Sequence, residues 1–263
     1  MKLRIVTATR GVSRFWSEMV DSLVEAAPLA EHVVVSPASR IATLAGARSV
    51  PRVLAENASG LYPNLAAGLS TSPTDWEFFT WLNDDDRLVA PGFGQALAGL
   101  AGNPDADIAF GKVSLIDSRG ARIGQLPVSH RSGDLAELLS RGIIPFAQPG
   151  TIIRRRTWDL LGGFDQSYRN AGDLDFFVRA LQMGARFVFV DAEIAAFRLS
   201  AGQLSKRRVE VQGETNRALS PFVGKPSSLL PYWRFRMANA AVYLERIRRH
   251  GWTSMRELYD RTD

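Results

Sequence analysis

Three acids stand in a row in the stretch Trp81–Leu88, which reads WLNDDDRL. They directly follow the mostly apolar run Glu77–Leu82, where a buried strand is expected to end. Adjacent carboxylates raise one another's pKa unless a cation offsets the repulsion, and Mg²⁺ or Mn²⁺ would do so through oxygen ligands and substrate phosphates. The alternative is a polar loop in which Asp86 caps a turn before Pro91. The triad alone leaves both interpretations open.

A second group of candidate residues lies in the stretch Gly162–Leu181, GGFDQSYRNAGDLDFFVRAL. Its paired glycines suit a tight turn, and Asp173 and Asp175 open a helix with an apolar face. Carboxylates at a helix start are commonly structural caps. One of the two is therefore expected to be structural, and helix geometry does not say which.

The elements around these residues predict an α/β fold. The first strands are predicted at Leu3–Ala8, His32–Ser36, Ser49–Leu54 and Glu77–Leu82, with helices after Ser13 and at Asn64–Leu69. Nearly continuous apolar strands that alternate with helices indicate a parallel sheet covered on both faces. Ligands of such sheets bind beyond the carboxyl ends of the strands, which is where Asn83–Asp86 would lie.

The rest of the chain continues the pattern. The later elements are predicted as a helix at Gly94–Leu100, a hairpin of Ile108–Ile116 with Ala121–Leu126, a helix near Asp134–Ser140, a strand at Gly150–Arg154, a helix at Gly172–Met183 and a strand from Arg186. From Pro231, apolar residues recur at helical spacing among arginines, which indicates a basic amphipathic helix. It is expected to pack on the domain with a solvated basic face, with membrane-surface contact or oligomer formation as alternatives.

The composition indicates a folded protein of one large domain and a tail, residues 1–225 and 226–263. The 263 residues are 46% hydrophobic and 22% charged, which excludes disordered and fibrous classes. The absence of cysteine excludes disulfides, thiol nucleophiles and cysteine-based zinc sites, and cytoplasmic location is expected. No stretch approaches the roughly 20 apolar residues of a membrane span. No nucleic-acid partner is expected, because basic and aromatic residues are not interleaved on one face.

Three stretches, in this order and separation, resemble the family 2 nucleotide-sugar glycosyltransferases of GT-A fold: WLNDDDRL, GTIIRRRTWDLLGGFDQSY and AGDLDFFVRALQMGARFVFVD. LAENASGLYPNLAAGLS is similar to the family's segment before the Asp-X-Asp (DXD) strand. The resemblance runs from about Leu3 to Ser205. It implies a Rossmann-like, mostly parallel central sheet flanked by helices, here with a C-terminal helical extension.

The resemblance also implies an activity. A sugar would pass with inversion from a nucleoside diphosphate to an acceptor hydroxyl, on a glycan or glycolipid. Mn²⁺ or Mg²⁺ would neutralise the leaving diphosphate, and a carboxylate would take the hydroxyl proton. The family's metal-binding acid falls on Asp85 and its base on Asp173, with Asp175 as a structural neighbour.

The remaining donor contacts follow from the same comparison and from position. Asn83 replaces the first acid of the family's motif, and Asp84 or Asp86 would contact the ribose or the waters of the metal; a register one residue later, Asp84 to Asp86, stays open. The end of the first strand and the end of the second supply further predicted nucleotide contacts, which are Thr7, Thr9, Arg10 and Ser36.

Three departures from the family leave other functions open. Ser36 stands where the family usually has an acid that holds the nucleotide base, and Ser200 stands where many members have a metal-binding His. The Gln-X-X-Arg-Trp motif of processive members is missing, so a single addition is expected. The alternatives are a catalytically weak subunit that binds a sugar nucleotide or glycan, and an adaptor at the inner face of the membrane that works through its basic C-terminal helix.

Overall fold

The computed structural model describes residues 2–45, 52–199, 208–224 and 227–251. The strands in these ranges are β1 Leu3–Ala8, β2 Glu31–Ser36, β3 Arg52–Ala55, β4 Phe78–Trp81, β5 Arg87–Leu88, β6 Ile108–Ile116, β7 Arg122–Gln125, β8 Ile152–Arg154 and β9 Phe187–Arg198. The α-helices are α1 Trp16–Ala26, α2 Ile41–Ala45, α3 Leu61–Ser70, α4 Ala90–Ala101, α5 Leu135–Ser140, α6 Arg155–Leu161, α7 Gly172–Gln182, α8 Arg208–Leu219, α9 Leu230–Ala238 and α10 Ala240–His250.

All the described strands belong to one sheet, in the order β3-β2-β1-β4-β8-β6-β9-β5, with β7 paired to β6. β3, β2, β1, β4, β6 and β9 run in one direction, while β8 lies antiparallel between β4 and β6. The predicted hairpin is the antiparallel pair of β6 and β7. The expectation of an α/β fold with a mostly parallel central sheet is confirmed.

Each face of the sheet has its own buried core. One core packs α3 and α7 against the sheet, and the other packs α1 and α4 against it. Because successive residues of a strand point to opposite faces, Val6 belongs to the first core and Ile5 to the second. This two-sided coverage explains why the strands read as nearly continuous apolar runs.

The pairing of β9 with β6 is irregular at one point. Three steps along β6, from Phe110 to Val113, are matched by six steps along β9, from Phe189 to Ala195. A Cβ atom at Gly111 would lie 2.8 Å from the carbonyl oxygen of Ala192, within this bulge. A glycine is therefore required where the bulged backbone approaches β6.

The structure corrects several predicted elements. β9 continues to Arg198, well beyond the predicted strand, and β5, α2 and α8 are additional elements that were not predicted. The predicted C-terminal helix is two helices, α9 and α10, which meet at Asn239. Residues 49–51 of the predicted third strand lie outside the described residues, as do Ser200 and the predicted boundary at 225 and 226.

The two C-terminal helices are attached to the rest of the domain by polar contacts. The Asn239 amide, which is 1% exposed, donates to the carbonyl oxygen of Val128 at 2.9 Å and accepts from the Val128 N–H at 3.0 Å. Arg234 pairs with Asp134, and the His250 ring lies 2.8 Å from the carbonyl oxygen of Ile123. None of the helices in the described part of the chain has both the length and the apolar character needed to cross a bilayer.

Candidate active site

The carboxyl ends of three neighbouring strands bring most of the predicted site residues to one edge of the sheet. β1 lies between β2 and β4 and is parallel to both, with Ala8 opposite Val35 and Val6 opposite Trp81. The residues that follow these strands therefore meet, as the rule for open α/β sheets predicts. They are Thr9 and Arg10 after β1, Ser36 at the end of β2, and the segment Asn83–Asp86 after β4, here called the acid loop.

Asp84 is held by the loop that follows β1. The Thr9 hydroxyl donates to the Asp84 carboxylate, and the Ser13 hydroxyl donates to the Asp84 carbonyl oxygen at 3.0 Å. Burial raises the pKa of Asp84 above its ordinary value; the Thr9 hydrogen bond opposes this rise and the neighbouring charge of Asp85 adds to it. Thr9 and Asp84, predicted separately as donor contacts, are thus direct partners.

Asp86 points into the protein. Its side chain is fully buried and accepts the Arg198 N–H at 2.9 Å and the Asn83 amide at 3.4 Å. Burial, with the charge of Asp85 as the next contribution, raises the pKa of Asp86 well above its ordinary value. The Asp86 N–H also closes a turn onto the Asn83 carbonyl oxygen at 3.3 Å. Its contacts are therefore those of a residue that shapes the acid loop.

Arg198, at the end of β9, hydrogen-bonds to the acid loop. It was not identified from the sequence as a site residue. Its side chain is 0% exposed, and its Nε donates to the Asp85 carbonyl oxygen at 2.7 Å. Its two Nη atoms donate to the Asp117 carbonyl oxygen and the Glu18 carboxylate, at 3.0 and 2.7 Å. A buried guanidinium needs such partners, because an unpaired buried charge is costly. The backbone of the loop that carries Asp85 is therefore hydrogen-bonded to a buried side chain.

Asp85 is the acid that the family resemblance assigns to a metal. The side chains of Asp84 and Asp85 are partly exposed, whereas that of Asp86 is buried. Within the described ranges, no group of three or more His, Cys, Asp or Glu side chains could hold an ion by itself. A single carboxylate suits Mg²⁺ or Mn²⁺ when phosphate oxygens and waters complete the shell. The residues thus fit a metal that arrives with a diphosphate.

Asp173 lies in the first turn of α7 and receives a hydrogen bond from a residue not predicted from sequence. The Tyr62 hydroxyl, on α3, donates to Asp173 Oδ1 at 3.1 Å. Loss of solvent raises the pKa of Asp173, and hydrogen bonds, including that of Tyr62, partly oppose the rise. Gly172 permits the contact, because a Cβ there would lie 2.7 Å from the Tyr62 ring. Asp175 instead pairs with Arg179 at 2.8 Å, as expected for a structural neighbour.

Glu214, on α8, holds the backbone that precedes Asp173. Its carboxylate accepts the N–H groups of Arg169, Asn170 and Ala171 at distances from 2.7 to 3.1 Å. Burial would raise the pKa of Glu214, but these three donors outweigh it and hold the pKa below its ordinary value. A helix that was not predicted from sequence therefore supports the start of α7.

The strand that leads into the acid loop packs against α7. Trp81, the last residue of β4, stacks on Phe177 of α7 with ring centroids 6.1 Å apart. Its ring also meets Phe164 edge-on at 5.1 Å. Asp173 precedes Phe177 by four residues, so both lie on the same face of the helix. This packing relates the two groups of acids that the sequence had placed about 90 residues apart.

The other predicted nucleotide contacts occupy different environments. Thr7 is fully buried and its hydroxyl lies 3.0 Å from His32 Nε2, while burial lowers the pKa of His32 to about 4. Arg10 is exposed at the edge of the site. The buried Ser36 hydroxyl has no hydrogen-bond partner among the described residues and lies 3.4 Å from where a Gly11 Cβ would be. Ser36 thus offers an unused polar group beside a glycine with φ +70°.

A cleft of about 1000 Å³ lies elsewhere, at the amino ends of β6 and β9. Its lining includes His130, which stacks on Phe189 at 4.8 Å, and Arg186. None of the predicted site residues lines it. The candidate active site is therefore defined by the strand ends and the acids.

Comparison with solved structures places this arrangement in a known fold. The crystal structure of S. aureus TarS 1–349 in complex with UDP-GlcNAc matches with a TM-score of 0.61 at 15% identity, over 94% of this chain and 79% of that chain. The chain has the GT-A fold expected from its sequence. The mannosyltransferase PcManGT from Pyrobaculum calidifontis, in complex with GDP-Man and Mn²⁺, matches with a TM-score of 0.60 at 16% identity, over 92% and 70% of the two chains. No protein-family model and no curated protein matches the sequence.

Proposed function

We propose that the protein is an inverting glycosyltransferase related to family 2, which moves one sugar from a nucleoside-diphosphate sugar to an acceptor hydroxyl on a glycan or glycolipid. The observation that carries the proposal is that the strand leading into the acid loop packs, through Trp81, on the helix that bears the half-buried Asp173, on a GT-A fold. The donor class is supported by the UDP-GlcNAc and GDP-Man bound to the two structural neighbours.

In the proposed reaction Asp173 takes the proton of the acceptor hydroxyl as its oxygen attacks the anomeric carbon, and the bond to the diphosphate breaks on the opposite face. Asp85 would hold the Mn²⁺ or Mg²⁺ that, when bound, neutralises charge on the leaving diphosphate. The raised pKa of Asp173 makes its carboxylate a stronger base than an ordinary aspartate. Thr9, Arg10 and Ser36 are the proposed contacts to the nucleotide.

Replacing Asp173 tests the base directly. Asp173→Asn should reduce transfer by a factor of about 100 or more, the scale for losing a general base, while donor binding remains. Transfer is followed with a panel of nucleotide sugars and glycan acceptors, and binding by the thermal shift each donor causes. Asp105→Asn is the control, because that carboxylate is 77% exposed and lies beside the other cleft. Unchanged turnover in Asp173→Asn would remove it from the mechanism.

Replacing Asp85 tests the metal. Asp85→Ala should abolish the extra thermal stabilisation that Mn²⁺ gives to the donor complex, because Asp85 is the proposed metal ligand. Asp159→Ala, an exposed carboxylate on α6, should leave it unchanged. Equal manganese-dependent stabilisation in both variants would show that Asp85 does not bind the metal. Manganese-dependent donor binding without transfer in the unmodified chain would favour the alternative of a sugar-nucleotide-binding subunit.

A further inference from the structure

α9 and α10 present a row of large apolar side chains to solvent. Four of them define what we call the C-terminal stripe, with exposed fractions of 58, 57, 75 and 60%: Leu230, Trp233, Met237 and Leu244. Leu229, just before α9, is also 59% exposed. Single exposed apolar residues need no explanation, but a contiguous row of them marks an interaction surface.

The stripe lies on one side because the helical spacing of α9 continues into α10. The helical hydrogen bonds continue through Asn239, from its N–H to the Phe235 carbonyl oxygen at 3.1 Å and from the Tyr243 N–H to the Asn239 carbonyl oxygen at 3.0 Å. Spacings of three, four and seven residues then place the stripe on one face, roughly 20 Å long. Phe235 and Asn239 are buried on the opposite face and attach the helices to the domain.

The rim of the stripe is basic. Arg248 follows Leu244 by one helical turn on the same face, and Arg236 is exposed beside Met237 with its guanidinium 4.2 Å from the Tyr243 ring centroid. Glu245, the acid of α10, pairs with Arg249 at 3.0 Å. The exposed surface of α9 and α10 therefore consists of the predicted basic residues at its rim and of apolar residues at its centre.

We propose that the C-terminal stripe docks the protein on the surface of an anionic lipid bilayer. A Trp among leucine and methionine side chains, edged by arginines, has the chemistry of a helix that lies in the headgroup region. Lipid phosphates would complement Arg236 and Arg248, whereas the same face of a second copy would bring the arginines of two helices together. The proposal does not depend on the transfer reaction, because none of its residues belongs to the candidate active site.

Flotation of the full chain with vesicles tests the proposal. Binding is expected to vesicles of phosphatidylcholine with phosphatidylglycerol, to be weaker with phosphatidylcholine alone, and to weaken with salt. The affinity of the Trp233→Glu/Met237→Glu double variant for vesicles should be at least about 100-fold lower. That of Arg236→Glu/Arg248→Glu should be lower by about 30-fold or more, since each basic residue contributes roughly five-fold to the affinity. Leu160→Glu is the matched control, with an exposed leucine at 58% on α6.

Two results would overturn the proposal. One is absence of vesicle binding by the unmodified chain, or equal binding by the stripe variants and Leu160→Glu. The other is a concentration-dependent dimer, seen by light scattering, that the Trp233→Glu/Met237→Glu variant abolishes, because the stripe would then be an interface between copies. Circular dichroism and thermal unfolding confirm that all variants fold, as expected for substitutions at exposed positions.

Discussion

Burial raises the pKa of the candidate base Asp173, and the hydroxyl of Tyr62 is one of the hydrogen-bond donors that oppose this rise. A hydrogen bond donated to a carboxylate favours the ionised form, so Tyr62 lowers the pKa of Asp173 while burial raises it. The balance sets the pH at which Asp173 can accept a proton. Its raised pKa predicts that transfer falls at a higher pH on the acid side than it would with a solvated aspartate.

Tyr62→Phe should move this acidic limit further up the pH scale. Removing the donor leaves burial unopposed by that bond, so the pKa of Asp173 rises, while the phenylalanine ring keeps its packing against Gly172 and Phe164. The measurement is kcat/KM for transfer against pH, in which the plateau at higher pH should be retained. Tyr168→Phe, which removes a hydroxyl from the same region, should leave the limit in place. If the acidic limit of kcat/KM did not move in Tyr62→Phe, the Tyr62 hydroxyl would have no effect on the pKa of the base.

At the scale of elements, the candidate site depends on helices and strands that contribute no predicted site residue. β9 supplies Arg198 to the acid loop, and α8 supplies Glu214 to the loop before α7. In both cases a charged side chain accepts or donates several backbone hydrogen bonds at once. Such contacts preorganise a site by fixing the backbone that carries the reacting groups.

Glu214→Ala should destabilise the protein by about 1–3 kcal/mol, because three backbone N–H groups lose their acceptor. Since the folded-state pKa of Glu214 is depressed, its stabilising contribution is present above the ordinary value of 4.5 and is lost as the pH falls through the folded value. Denaturant unfolding at several pH values should therefore show the gap between the two proteins closing in acid. Gln212→Ala, on the exposed side of α8, should show no such gap. A pH-independent gap would mean that the charge of Glu214 is not involved.

Sequence patterns predicted the elements with strong apolar runs and missed those held by polar contacts. β1 and β6 were predicted with their observed bounds, because Leu3–Ala8 and Ile108–Ile116 are nearly unbroken runs covered on both sides. α8 has no such apolar face, and nothing local in RVEVQGETNRAL indicates that Glu214 faces another loop. The acids were found because their types and order are informative, whereas Tyr62 and Arg198 act through contacts between residues more than 100 positions apart.

At the scale of the whole molecule, a buried amide is among the contacts that attach the C-terminal helices to the GT-A domain. Asn239 satisfies both backbone groups of Val128, which would otherwise be buried without partners. The predicted division at residue 225 therefore separates two sequence regions that share polar contacts in the fold. Substitution of Asn239 tests whether α9 and α10 unfold together with the rest of the domain.

Asn239→Ala should destabilise the attachment of α9 and α10 by about 2–4 kcal/mol, since two buried backbone groups lose their partners. Limited proteolysis should then cleave within residues 227–251 before it cleaves the domain, and donor-induced thermal stabilisation should persist in the remaining protein. Asn103→Ala removes an exposed amide and serves as the control. Loss of the entire fold in one cooperative step would instead make the helices part of the domain.

The bulge in β9 changes which face of the sheet the later side chains of the strand lie on. Side chains alternate between the two faces of a strand, so the odd surplus of three residues between Phe189 and Ala195 exchanges the faces of everything that follows it. Ala195 therefore belongs to the second core, although Phe189, six residues earlier on the same strand, packs against the first. Deleting a single residue from the bulge would leave the composition of β9 almost intact and yet turn Ala195 away from the second core.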